Sequence, residues 1–303
     1  MLAPVILFVY NRPEHTIKTI EALSKNELAK ESTVFIFSDA AKNENSLENV
    51  KAVRDYIDTI KEKEYFKSLT IKKAKVNKGL AKSVIDGVSE IISEYGKVIV
   101  LEDDLLTTTD FLMYMNGALD YYNELDKVWS ISGYNIPIVF PKDYKSEIYY
   151  SYRGCSWGWA TWKNRWELVD WDIKDYTEFK GSRHIRNQFN RGGRDMANML
   201  DNQMDGIIDS WAIRWCYTQS KKDFLTVYPV KSRIKNIGLD GSGTHSAITS
   251  HYDVEIDKSL KQCIFNDPEL DQNILKNFQN HYGSRLHCYL SQQKRSIKKL
   301  LRM

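Results

Sequence analysis

The sequence predicts an α/β fold: a mostly parallel sheet flanked by helices, with an elaboration packed on the same sheet in the second half. Three observations carry this. Four short apolar runs, PVILFVY, TVFIFSD, SLTIKKAKV and KVIVLEDD, recur through the first third of the 303 residues. The stretches between them carry apolar residues at three- and four-residue spacing, and no linker, repeat or low-complexity segment interrupts the chain. Short apolar strands alternating with helical patterns are the mark of strand–helix units and a parallel sheet.

Residues 4–10 read as the first strand rather than a targeting peptide, because the apolar run is short, lacks a basic leader and runs into Asn11, Arg12 and Pro13. A helical pattern follows from Pro13 to Leu23. After the strand TVFIFSD, a second helix carries Leu47, Val50, Val53, Ile57 and Ile60. The strand SLTIKKAKV leads to a helix with Leu80, Val84, Val88 and Ile91, then to KVIVLEDD, a helix expected over Asp110–Leu125, and the strand VWSISGY. Beyond Pro137 the alternation decays and aromatic residues thicken into YYSYRGCSWGWATWKNRW. Residues 1–135 and 136–290 are therefore expected to be two halves of one domain, with 291–303 a basic tail.

A net charge of +3 with pI near 8.4 argues against a dedicated nucleic-acid binder. Charged (27%) and apolar (42%) fractions are those of a globular protein. No stretch is apolar for long enough to cross a bilayer. Cys155, Cys216, Cys263 and Cys288 are too widely spaced for a metal or redox pair, which fits a reduced, cytoplasmic setting.

Ligands of parallel sheets gather at the carboxyl ends of the strands, and three such ends are unusually polar: Tyr10-Asn11-Arg12, Ser38-Asp39 and Glu102-Asp103-Asp104. Consecutive carboxylates at the end of a buried strand repel one another and resist desolvation unless something positive meets them. A hard divalent ion, which takes one or two carboxylates plus substrate phosphates, is the expected partner; an acidic turn is the other reading. Asp39 is either a ribose or base contact or simply the start of a loop. In VNKGLAKSV, Gly79 opens a helix whose amides favour anions, and Lys78 and Lys82 add positive charge.

In CSWGWATWKNRW, Trp157, Gly158 and Trp159 are expected to face a ligand, since flat rings with polar edges stack on sugars, whereas Trp162 and Trp166 sit at helical spacing and read as core. MDGIIDSWAIRWCYTQ reads as one helix with Asp205 and Asp209 on a common face beside apolar positions, where burial would raise a carboxylate's pKa toward that of a base; helix capping is the competing explanation. The Gly-rich KSRIKNIGLDGSGTHS reads as a loop whose Arg233, Lys235 and His245 close over a diphosphate or a metal.

PVILFVYNRPEHT, FSD, NKGLAKSV and LEDD together resemble the inverting nucleotide-sugar glycosyltransferases of GT-A (Rossmann-like) fold, bacterial family 2 and N-acetylglucosaminyltransferase I among them. The resemblance covers the first 135 residues and thins toward residue 250. It implies that Asp104 is the main ligand of Mn²⁺ or Mg²⁺, with Glu102 and Asp103 touching the donor ribose or sugar. It further implies that Asp39 holds the uridine of a UDP-sugar, that Asn11 and Arg12 line the nucleotide pocket, that Asp209 is the base, and that His245 contacts metal or diphosphate. A saccharide or lipid-linked saccharide acceptor, surface polysaccharide or glycan synthesis and a cytoplasmic location follow from the same resemblance. The tail SQQKRSIKKLLRM then becomes a candidate peripheral-membrane contact or, equally, a solvated terminus. A dinucleotide oxidoreductase is disfavoured because VYNRPEH offers no glycine; a non-catalytic sugar- or nucleotide-binding protein on the same fold is the alternative.

Overall fold

The structure is a computed structural model that describes residues 1–241, 249–256 and 263–283. Strand β1 (Val5–Val9) is buried along its whole length. Helix α1 (Pro13–Ser24) starts with proline, whose fixed φ suits the first turn. Strand β2 (Thr33–Ser38), helix α2 (Leu47–Thr59) and strand β3 (Ser68–Lys73) complete the next unit. Helix α3 (Leu80–Tyr95) lies between Gly79 and Gly96, both at φ +76, a conformation that glycine adopts without steric cost. Strand β4 (Lys97–Glu102) follows, then the short β5 (Leu105–Thr107) and helix α4 (Phe111–Tyr121), shorter than the Asp110–Leu125 pattern at both ends.

The second half adds β6 (Val128–Ser132), β7 (Ile148–Ser151) and β8 (Trp159–Trp162), the short helices α5 (Lys163–Trp166), α6 (Tyr176–Gly181) and α7 (Arg183–Phe189), then α8 (Met196–Met204) and α9 (Trp211–Lys221). Strands β9 (Leu225–Pro229) and β10 (Ile234–Asn236) and helix α10 (Gln272–His281) follow.

Eight strands form one sheet in the order β3-β2-β1-β4-β8-β6-β9-β7, and β5 pairs with β10 in a two-stranded ribbon. Within the large sheet β7 and β8 run against the others, so the sheet is mixed but mostly parallel, as expected. Strand alternation divides the core into two layers. Val5, Leu7, Val9 and Ile36 join Ile20, Leu23, Val53 and Ile57 of α1 and α2 on one face. Ile6, Phe8, Val98 and Val100 meet Val84, Val88 and Ile91 of α3 on the other, together with Trp129, Trp159, Trp166, Trp211 and Trp215. Each strand between helical layers is thus apolar on both faces, which explains the continuous apolar runs.

Two expectations need correction. β3 ends at Lys73 rather than running to Val76, because residues 77–79 turn inward to hydrogen-bond Asp39. The single helix expected around Asp205 and Asp209 is two helices: Gly206 at φ +68 breaks the chain after α8, and Ser210 caps α9 by accepting the Ile213 N–H at 3.3 Å. No helix among the described residues is long and apolar enough to cross a membrane.

Candidate active site

The three polar strand ends converge. Tyr10, Asn11 and Arg12 after β1, Ser38 and Asp39 after β2, and Glu102, Asp103 and Asp104 at the end of β4 line one cleft of about 1010 Å³, joined by Lys78, Trp157 and Asp209. The volume is at the upper end of small-molecule sites.

The acid triplet is met by a positive charge from within the chain. The guanidinium of Arg12, carried to the first turn of α1, bonds to Asp103 Oδ1 and lies 3.0 Å from Asp104 Oδ2. The Tyr10 N–H donates to Asp103 Oδ2 at 3.3 Å, and Thr19 Oγ1 donates to the Asp103 carbonyl at 2.8 Å, tying α1 to the strand end. Burial works against the Arg12 charge, yet Asp103 and Asp104 hold its pKa above the ordinary value. Burial pushes Asp103 up to about 6 despite Arg12. Glu102 goes up as well, through burial and then the charges of Asp104 and Asp103. With Glu102 pushed up to about 8 and so mostly protonated near neutral pH, Asp103 and Asp104 against the one guanidinium leave a single excess negative charge facing the cleft.

That excess suits a divalent cation. Among the described residues no three His, Cys, Asp or Glu side chains converge into a full metal cage. An ion held by one or two carboxylates and completed by substrate phosphates needs no such cage. Asp104, the ligand expected from the sequence, is buried at 8% exposure and covered by the loop after β10. There the Ile237 N–H donates to the Asp104 carbonyl at 2.8 Å. A Cβ on Gly238 would stand 2.0 Å from Asp104 Oδ2 and 2.7 Å from Arg12, so only glycine fits that approach. His15 Nε2 braces the same loop, 3.2 Å from the Ile237 carbonyl and from Asp240 Oδ2. His245, the other metal residue expected from the sequence, lies outside the described residues, as does the basic tail.

Asp39, expected to hold the uridine, is engaged within the chain. Its Oδ1 accepts the Ala40 N–H at 2.8 Å and the Lys78 N–H at 3.0 Å, while Oδ2 accepts the Gly79 N–H at 3.0 Å and Asn77 Nδ2 at 3.1 Å. The anion that the amides before α3 attract is this carboxylate, supplied by the chain itself. Lys78 and Lys82, expected to add positive charge for an anion, both pair with Asp86, at 3.0 and 3.2 Å. Arg54 closes the same corner by donating to the Asp39 and Ala74 carbonyls at 3.2 and 2.7 Å.

In the second half the sequence was a poorer guide. Asp209 lines the cleft, but it is 66% exposed, precedes the α9 cap and stands 3.7 Å from Arg214, not against apolar surface. Trp159 is core, 1% exposed and packed within 5.0 Å of the Trp211 ring and 4.7 Å of Trp215, so it does not reach a ligand. Gly158, at φ +62, faces Ile234, which a Cβ would meet at 2.7 Å; its smallness serves packing. Of that trio Trp157 alone lines the cleft. Trp162 and Trp166 are buried as expected, but not as one helical face: Trp162 ends β8 and packs on one side of the sheet, and Trp166 ends α5 and packs on the other. Arg233 is not a loop cation: it is 3% exposed and bonds Asp110 at 3.1 Å beneath β5.

Several cleft residues were not singled out from the sequence. Arg153 lies in the aromatic stretch after β7, where its donor fork bonds Asp195 at 2.8 and 3.1 Å and its face covers the Tyr282 ring at 3.7 Å. Tyr134, Tyr252 and Tyr282 line the same wall. Only the density of aromatics in 149–166 hinted at this wall, since Tyr252 and Tyr282 come from distant segments without a periodic pattern.

No family model and no curated protein matches the chain. Among solved structures it is similar to S. aureus TarS (TM-score 0.42, 11% identity, 77% of this chain and 36% of that one). It is also similar to the mannosyltransferase PcManGT from Pyrobaculum calidifontis in complex with GDP-Man and Mn²⁺ (0.38, 14%, 55% and 46%). A third likeness is to the glycosyltransferase GlyE of Streptococcus pneumoniae TIGR4 (0.37, 12%, 74% and 45%). The chain thus spans less than half the length of each of these three. With every TM-score below 0.5, these likenesses assign it neither ligand nor activity.

Proposed function

We propose that the chain is an inverting, metal-dependent glycosyltransferase that moves a sugar from a nucleotide donor, UDP-linked, to a hydroxyl of a saccharide acceptor in surface polysaccharide or glycan synthesis. The observation that carries this reading is the convergence of Arg12, Asp39 and the Glu102–Asp104 triplet from three parallel strand ends on one cleft. The sequence resemblance of these segments to GT-A enzymes supports it.

Under this reading the loop tied by Asp39 forms the nucleoside end, beside Tyr10 and Asn11. Asp104 would hold Mn²⁺ or Mg²⁺, which when bound supplies positive charge against the leaving diphosphate. Arg12, already charged and fixed between Asp103 and Asp104, adds a second cation within reach of the same anion. Glu102 faces the donor sugar. Asp209 stands at the cleft as the carboxylate that takes the proton of the attacking hydroxyl, and one displacement through an oxocarbenium-like transition state inverts the anomeric centre. The first half binds the donor and the second half the acceptor, and the tail is a membrane contact on this reading.

The test is nucleotide-sugar turnover and thermal stabilisation by UDP with millimolar Mn²⁺ or Mg²⁺. Asp104→Asn is expected to abolish both metal-dependent effects while leaving the fold intact; full turnover in excess chelator would overturn the metal role. A second reading, a non-catalytic sugar- or nucleotide-binding protein, is favoured by one observation: Arg12 and the amides around Asp39 already engage three of the acids, Asp103, Asp104 and Asp39, that a catalyst would turn on its substrate. It predicts UDP-sugar binding without hydrolysis or transfer.

A further inference from the structure

We propose that the cleft wall built by the second half is a stacking subsite for an uncharged pyranose ring of the acceptor, with Trp157 and Tyr252 as its specificity-determining faces. The proposal rests on the glycosyltransferase reading for the word acceptor and on the following geometry for the rest. Trp157 meets Tyr134 edge to face, ring centroids 4.7 Å apart at 73°, and meets Tyr252 at 5.6 Å and 84°. Rings meeting near right angles make a corner and do not stack face on face. Tyr134 is 2% exposed and donates its hydroxyl to the Tyr252 carbonyl at 2.7 Å, so the corner is braced from behind. Trp157, Tyr252 and Tyr282 are half-buried and line the cleft that also holds the acids.

Of the eight tryptophans Trp157 and Trp171 keep partial exposure, and of these two only Trp157 lines the cleft. Trp129, Trp159, Trp166, Trp211 and Trp215 are all sealed in the core, at 3% exposure or less. An indole left at a cleft wall, held rigid by two tyrosines, offers a large flat apolar face at little cost in side-chain entropy. The CH-rich face of a pyranose suits such a ring, with its hydroxyls turned outward to water.

Charge recognition is poorly served at this wall. Its cation, Arg153, spends its donor fork on Asp195 and its planar face on Tyr282. An acidic sugar or a phosphate would find that guanidinium already neutralised and would meet the Asp195 carboxylate beside it. The ring that fits is uncharged.

The experiment is saturation-transfer NMR on the full chain with neutral methyl glycosides and, as a charged counterpart, methyl glucuronide, without donor. At least one neutral glycoside is expected to receive saturation on its ring CH protons, more strongly than the glucuronide. Trp157→Ala and Tyr252→Ala are each expected to weaken its binding about 10-fold, while Tyr252→Phe and Trp157→Phe, which keep a ring and guard against a folding defect in the alanine variants, lose about 3-fold or less. No signal from any neutral glycoside, wild-type binding by both alanine variants, or preference for the glucuronide would overturn the proposal. A UDP thermal shift on the same samples reports the donor reading separately: sugar binding without it leaves the stacking wall standing and removes the transferase.

Discussion

Replacing Asp39 separates its two roles, direct contact with a nucleoside and construction of the loop that would surround one. In Asp39→Ala the N–H groups of Ala40, Lys78 and Gly79 and the amide of Asn77 all lose their acceptor. Hydrogen bonds to a charged group contribute about 1.5–3 kcal/mol each when buried. The Lys78 backbone is exposed and the Asn77 and Gly79 positions are only half-buried, so water replaces much of what is lost. A net loss of about 2–3 kcal/mol for the set follows. Asp39→Asn keeps one acceptor oxygen but points an NH₂ at donors, and is expected to cost about 1–2 kcal/mol. Urea unfolding at pH 7, read as a lower midpoint at unchanged slope, measures both. The UDP-induced thermal shift should fall in step with stability across the two variants. A loss below about 0.5 kcal/mol in Asp39→Ala, with UDP binding gone, would refute the loop-building role and return Asp39 to the ligand.

Arg12→Met strips the charge from between Asp103 and Asp104, whose side chains are 6% and 12% exposed, and is expected to cost about 3–5 kcal/mol in urea unfolding. Millimolar Mg²⁺ should restore part of that, because a divalent ion offsets the same charge; no restoration would count against a metal at Asp104. His281 carries a pKa pushed down to about 4 by burial, the neighbouring His251 and Arg153, in that order. A histidine depressed in the folded state contributes stability that is complete above its ordinary pKa of 6.5 and is lost as pH falls toward 4. Because the ring is only partly buried, that loss is expected to be on the order of 1–2 kcal/mol after solvent screening, and His281→Asn should flatten the slope in a pH series of unfolding midpoints. Trp159→Ala should cost about 3–5 kcal/mol and Trp157→Ala about 1–2 kcal/mol by the same assay, reflecting a sealed ring and a partly buried one; equal costs would contradict the division between core and cleft.

What the sequence determined by itself is the strand–helix skeleton and the ends of its strands. Apolar runs and three- and four-residue spacing are local signals, and β1 to β4 with α1 to α3 follow them within a few residues. The acids at 102–104 could also be placed at the ligand edge, because a strand delivers its last residue to a fixed edge of a parallel sheet. Partner choice is not local, and there the tertiary structure decided. It brought Arg12 across 91 residues of sequence to Asp103, and it filled the Asp39 carboxylate with amides 38 to 40 residues away. Trp157 and Trp159 show the limit most sharply. They are the same residue type two positions apart in one motif, yet β8 begins at Trp159, which enters the tryptophan core, while Trp157 precedes the strand and turns to the cleft. Composition cannot separate them; burial is set by which helices pack beneath the strand. The break at Gly206 is of the same kind, since one glycine with positive φ and a serine cap override an otherwise continuous helical pattern.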